Sequence, residues 1–260
     1  MLDPEVLAHY QEGEEDARLT RHSLELIRTQ ELLQRHLPSP PARILDIGGG
    51  SGVYASWLAD LGYDVHLIDP VPLHVEQARA KGGFAAAEGD ARALDQPDGS
   101  CDVVLLLGPL YHLVEREERL LALREALRVV RPGGLVAVAA ISRSASLIDG
   151  TARDFMAEPD FRDIVATVLA GGAHRNPERR PDWFTTAYFH WPDELDGELR
   201  EAGVAEVDVV GIEGPGEWFR TGPDDDIDAL VAAAATRPPG RATRIASRSA
   251  SRRSSRSTRW

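Results

Sequence analysis

The stretch Ile44-Leu45-Asp46-Ile47-Gly48-Gly49-Gly50-Ser51-Gly52 runs from apolar residues through one carboxylate into a glycine turn, and Val53, Trp57, Leu58 and Leu61 then recur at helical spacing up to Gly62. A strand, a turn and a helix are expected in that order. Glycines in such a turn allow positive φ and close approach of a ligand, and the helix that follows presents unpaired N–H groups at its start. A nucleotide-like ligand belongs at this crossing. The dinucleotide fingerprint G-x-G-x-x-G fits poorly: counted from Gly48 its third glycine falls on Val53, and counted from Gly49 its second falls on Ser51.

Outward from the turn, short apolar runs alternate with helical stretches. Val65 to Ile68, Phe84 to Ala87, Val103 to Leu107 and Leu135 to Ile141 are strand candidates after Ile44 to Ile47, and Val204 to Ile212 gives a sixth. Leu120, Leu123, Leu127 and Val130 mark a helix that stops at Arg131-Pro132-Gly133-Gly134. The alternation predicts an α/β fold, an open and mostly parallel sheet with helices on both faces. Residues 1–40 read as an N-terminal helical cap ending at Pro38-Ser39-Pro40-Pro41. Residues 142–190 break the rhythm with amphipathic pieces and the aromatics Trp183, Phe184, Tyr188, Phe189 and Trp191, which suggests a lid inserted after the fifth strand.

The pattern acid-x-Gly-x-Gly-x-Gly through Asp46, Gly48, Gly50 and Gly52 resembles the first motif of class I S-adenosylmethionine-dependent methyltransferases, whose sheet is Rossmann-like. Later positions fit the resemblance over about residues 40–141. Asp69, followed by Pro70, ends the second strand candidate, Gly89-Asp90-Ala91 follows the third, Cys101 through Leu107-Gly108 matches the fourth-strand motif, and Val130 to Leu135 matches the turn into the fifth. The resemblance implies that Asp46, Gly48, Gly49, Gly50, Asp69, Pro70, Asp90, Ala91 and Leu107 contact S-adenosylmethionine, with Asp69 on the ribose hydroxyls and Asp90 and Ala91 near the adenine. A carboxylate at a strand end suits that task, because hydrogen bonds to a charged acceptor are the stronger kind. A methyltransferase domain is thus expected over 41–236.

At the end of the fourth strand, amino-methylating nucleic-acid enzymes carry Asp or Asn before Pro-Pro and an aromatic, and that side-chain oxygen accepts from the base amine. Gly108 has no side chain for the task, and Leu107-Gly108-Pro109-Leu110-Tyr111-His112-Leu113 resembles small-molecule enzymes of the ubiquinone and menaquinone type instead. Transfer to an O, N or C atom by in-line displacement is the expected reaction, in which the protein mainly positions the acceptor. His112 is the first candidate for a general base, since imidazole titrates near neutrality, with packing under the next helix as its alternative reading. Tyr10, Tyr111, His174, Trp183, Tyr188 and His190 are candidate acceptor contacts, although such aromatic clusters also build cores. A nicotinamide-dependent oxidoreductase and a non-catalytic S-adenosylmethionine-binding module stand as alternatives.

The chain has 260 residues, 43% hydrophobic and 27% charged, with a net charge of −13. Residues 237–260 contain eight arginines and no acid, so residues 1–236 carry −21, a balance that disfavours a nucleic-acid partner. No long apolar run or basic leader is present, and a cytoplasmic protein without membrane partners is expected, with a homodimer left open. Cys101 is the single cysteine and reads as a buried thiol; no metal site is expected. The last 24 residues, rich in Arg and Ser, are expected to be disordered. A helix is read at Ile227 to Ala235, and no segment after Ile212 reads as the antiparallel seventh strand that finishes such sheets.

Overall fold

The computed structural model describes residues 4–10, 23–180, 182–212 and 243–247. Two helices precede the sheet, α1 (Pro4–Tyr10) and α2 (Ser23–His36). The alternating unit then runs β1 (Arg43–Ile47), α3 (Val53–Asp60), β2 (Asp64–Asp69), α4 (Pro72–Lys81), β3 (Ala85–Glu88), β4 (Cys101–Leu106), the short α5 (Pro109–His112), α6 (Arg116–Val129) and β5 (Val130–Val138). Next come β6 (Ile141–Ser142), α7 (Ala145–Ala152), a 3-10 turn at Phe155–Ala157, α8 (Pro159–Gly171), β7 (Ala173–His174) and β8 (Ala187–His190). The described chain closes with α9 (Pro192–Ala202), β9 (Glu206–Val209) and β10 (Thr243–Ser247).

Seven strands form one sheet in the order β3-β2-β1-β4-β5-β10-β9. The first five are parallel, with Ile44 opposite both Val65 and Val103. The central strands β1, β2 and β4 are buried along most of their length, which is why they read as nearly continuous apolar runs. Successive residues take turns: Leu45, Ile47, Val104 and Leu106 pack with Leu123 and Leu127 of α6 and Leu199 of α9, while Ile44, Val103 and Leu105 pack with Leu33 of α2 and Leu58 of α3. The chain reverses direction across the sheet between β1 and β4, and the crevice beyond their C-terminal ends is where open α/β sheets bind ligands.

The seventh strand corrects the expectation for the Arg/Ser-rich end. Thr243–Ser247 lies antiparallel between β5 and β9, with Ala246 opposite Val136 and Thr243 opposite Val209. Composition argues against independent folding of such a segment, but a strand set between two partners satisfies its backbone groups on both edges without needing an apolar face of its own. The helix read at Ile227 to Ala235 lies outside the described residues, as does most of 237–260.

The insertion after β5 carries its own small sheet, β6-β8-β7. Its α8 buries Phe161 and Val165 against Trp183, and Val168 against Ala187 and Phe189. No helix among the described residues is long and apolar enough to cross a membrane.

Candidate functional site

A cavity of about 700 Å³ opens at the C-terminal ends of β1, β2 and β4, roofed by α1, α2 and the insertion. The turn after β1 shapes its floor. Gly48 sits at φ +65°, and a Cβ there would collide with the Pro109 ring of α5. At Gly49 a Cβ would meet Asp46 Oδ2 at 2.5 Å and Leu67 Cδ1 at 2.7 Å, so only glycine lets the turn lie flat against β1 and β2.

Three carboxylates stand at or just beyond strand ends. Asp46, on β1, is 1% exposed, and its Oδ2 has no hydrogen-bond partner among the described residues. Burial, reinforced by the neighbouring Asp69, pushes its carboxyl up to about 7. Asp69, closing β2, accepts the Gly50 N–H on Oδ2 at 2.9 Å and the Val71 N–H on Oδ1 at 2.9 Å. His74 Nδ1 lies 3.1 Å from the same Oδ1 and donates to it. Asp90, after β3, is gripped by Arg92, whose backbone and Nε both donate to Oδ1 at 2.9 Å and whose Nη2 donates to Oδ2 at 2.5 Å. That hydrogen-bonded guanidinium holds the Asp90 carboxyl below the usual carboxylate range.

On the far side of the turn, α5 presents His112. Its Nδ1 lies 3.1 Å from the Thr186 carbonyl, which can only accept, so Nδ1 carries the hydrogen and Nε2 is the acceptor. The Tyr10 hydroxyl donates to that Nε2 at 2.6 Å. The rings of Tyr10 and His112 meet edge to face at 5.2 Å, and Tyr10 also meets His74 at 5.3 Å. Glu5 ties α1 in place, accepting the Asn176 N–H at 3.0 Å and the Thr186 hydroxyl at 2.6 Å.

Of the expected residues, Asp46, Gly48, Gly49, Gly50, Asp69, Pro70, Asp90, Ala91 and Leu107 all line this one cavity, together with Tyr10, Tyr111, His112 and His190. His174, Trp183 and Tyr188 do not line it. His174 stacks on Phe189 at 5.3 Å and donates to the Thr185 carbonyl, and burial drives its imidazole down to about 4, so it is a neutral core group. Trp183 packs in the Phe161 cluster. Tyr188 lies under the Arg119 guanidinium, 3.7 Å from its ring centre. Their aromatic clustering is core packing of the insertion. Sequence reasoning missed Glu5, His74, Arg92, Arg119 and Glu198; His74 alone carried a readable signal, standing two residues after Pro72 at the start of the helix that follows the β2 carboxylate.

Residues 45–138 match the methyltransferase domain family. The chain is 32% identical over 178 residues to the demethylmenaquinone methyltransferase of Beutenbergia cavernae, covering 67% of this chain and 70% of that protein. It belongs to the class I S-adenosylmethionine-dependent methyltransferases. A ubiquinone biosynthesis O-methyltransferase of Cereibacter sphaeroides is 29% identical over 212 residues, 79% of this chain and 78% of that one. Among solved structures, the S-adenosylmethionine-dependent methyltransferase of Mesorhizobium loti has a TM-score of 0.56 at 19% identity, covering 82% of this chain and 93% of that one, and shares the fold. The methyltransferase therefore transfers a methyl group from S-adenosylmethionine, and the oxidoreductase and non-catalytic alternatives have no support.

Proposed function

We propose that this methyltransferase methylates a hydroxyl group on an uncharged, largely apolar small molecule, and that the Tyr10–His112 pair takes the hydroxyl proton. The observation that carries the proposal is the fixed tautomer of His112: with Nδ1–H committed to the Thr186 carbonyl, Nε2 is a proton acceptor already in contact with the Tyr10 hydroxyl. A hydroxyl that donates to the Tyr10 oxygen loses its proton as Tyr10 passes its own to Nε2, which leaves the acceptor oxygen nucleophilic.

The cavity fits the methyl donor. The orphaned Asp46 Oδ2 supplies an acceptor for a cationic group, and the flat glycine turn leaves room that any Cβ at Gly49 would fill. In this reading Gly48, Gly49 and Gly50 pass beneath the donor, Asp69 with Pro70 meets its ribose, and Asp90 with Ala91 meets its base. When bound, S-adenosylmethionine supplies a methyl group on a sulfonium, an electrophile with a neutral leaving group.

The acceptor end favours a neutral molecule. Among the described lining residues the one arginine or lysine is Arg92, which is already engaged by Asp90 and Glu118, while Phe184, Val138, Ile141 and Leu195 supply apolar wall. An anionic head group would find no uncommitted arginine or lysine among them. The name of the Cereibacter sphaeroides relative, a ubiquinone biosynthesis O-methyltransferase, supports oxygen as the methylated atom.

The test is transfer of radiolabelled methyl to 4-phenylphenol and to the anionic 4-hydroxybenzoate. Methyl ether from the first and little from the second is the expected result. Turnover of the benzoate alone would overturn the proposal.

A further inference from the structure

His190, the last residue of β8, is 3% exposed and forms part of the cavity wall at the acceptor end. Its Nε2 lies 3.3 Å from Glu198 Oε2 on α9. Glu198 is held as a carboxylate by Arg119, whose Nε donates to Oε2 at 2.9 Å and whose Nη2 donates to Oε1 at 2.6 Å. A carboxylate can only accept, so the His190 hydrogen is on Nε2 and Nδ1 is left with a lone pair. That Nδ1 is buried and has no hydrogen-bond partner among the described residues. A buried acceptor left unpaired is costly, and one fixed by a carboxylate and an arginine behind it cannot turn away to find another partner.

We propose that His190 is a specificity-determining residue whose Nδ1 receives a hydrogen bond from a donor on the far end of the acceptor molecule. The inference rests on the reading of a neutral hydroxylated acceptor given above and names a second feature of it. β8 sets the separation. Thr186, whose carbonyl fixes His112, stands just before the strand and His190 ends it, so the extended run from Ala187 to His190 separates the two by about 10 Å. An acceptor that engages both ends is therefore elongated, with its second donor on the order of 10 Å from the methylated oxygen. Arg119 ties the two ends together, because its Nη1 also donates to the Leu113 and Val114 carbonyls just after His112.

The probes are 4,4'-biphenol and 4-phenylphenol, which differ only in the distal hydroxyl, bound in the presence of S-adenosylhomocysteine and measured by calorimetry. Biphenol is expected to bind about tenfold more tightly to the native protein, in the range of one hydrogen bond to a buried acceptor. His190→Phe removes that preference, so that the two probes bind it equally, and His190→Asn, which keeps an amide oxygen near the Nδ1 position, retains part of it. Equal binding of the two probes to the native protein overturns this inference alone, a result that holds even if the variants fail to fold. A preference that survives in His190→Phe also overturns it. Binding of neither probe overturns the reading of the acceptor end and this inference with it.

Discussion

Tyr10 and His112 lie 102 residues apart and share a 2.6 Å hydrogen bond at the mouth of the β4 strand end. The bond joins the N-terminal helix to the helical turn that follows the fourth strand, so the segment that roofs the cavity also completes the pair we propose takes the acceptor's proton. Tyr10→Phe keeps the ring that packs on His112 and His74 but removes the hydroxyl. It is expected to lower kcat on a phenolic acceptor by about 100-fold or more, the usual contribution of a placed acid or base, while the Kd for S-adenosylhomocysteine changes little. A variant that loses cofactor affinity and keeps kcat would assign Tyr10 to the cofactor rather than to the proton.

Asp46 makes the ligand-free protein pH-sensitive. Its carboxyl titrates at about 7 in the fold against 3.8 as the ordinary value. Below pH 3.8 both folded and unfolded states hold the proton and the group is silent. Between 3.8 and about 7 the unfolded chain gives up the proton first, so stability falls as pH rises, by about 4 kcal/mol at most by pH 8. Asp46→Asn removes this slope, and its melting temperature at pH 8 is expected to exceed that of the native protein. Binding has the opposite sense, since the cationic methyl donor favours the ionised carboxylate. Affinity for S-adenosylmethionine should rise from about pH 6 to pH 8 in the native protein and stay flat in the variant; parallel pH profiles for the two would refute the assignment.

The floor of this cavity was legible because its parts are local. A strand, an acid and a run of glycines within nine residues leave little freedom, and Asp46, Asp69 and Asp90 stand where strand ends converge. The roof was less legible because it depends on contacts across more than seventy residues. The spacing of Arg119 and Glu198 along the chain says nothing of their pairing, and Trp183, His174 and Tyr188 look like pocket aromatics until the insertion is seen to have its own core. The final strand was hidden for a different reason: Thr243–Ser247 has almost no apolar signal, and its position follows from the two vacant strand edges that it joins.

That strand carries its own prediction. Ending the chain at residue 242 leaves β5 and β9 each with an unpaired edge, and exposed edges promote association between chains. The truncated protein is expected to melt at a lower temperature and to aggregate at high concentration, measured by calorimetry and light scattering. An unchanged melt in a monomeric sample would show that β10 contributes nothing to the sheet.

Arg119 and Glu198 are 1% and 4% exposed, and they connect the loop after His112 to the wall around His190. Burial by itself would raise the Glu198 carboxyl, but hydrogen bonds from His190 and Arg119 hold it down to about 2. Its contribution to stability is therefore present above pH 4.5 and lost as pH falls toward 2. Glu198→Ala leaves a buried guanidinium without its anion and is expected to cost about 3–5 kcal/mol, a drop of roughly 10 °C in a domain of this size. The double variant Arg119→Met with Glu198→Leu removes both charges and should recover much of that loss, because the pair itself contributes little beyond an apolar replacement. Recovered stability with lost acceptor discrimination would separate the two roles of this pair: folding tolerates its replacement, whereas His190 needs the carboxylate to keep its hydrogen on Nε2. A double variant as unstable as Glu198→Ala would mean instead that the contacts of Arg119 with Tyr188 and with the Leu113 and Val114 carbonyls hold the insertion to the sheet.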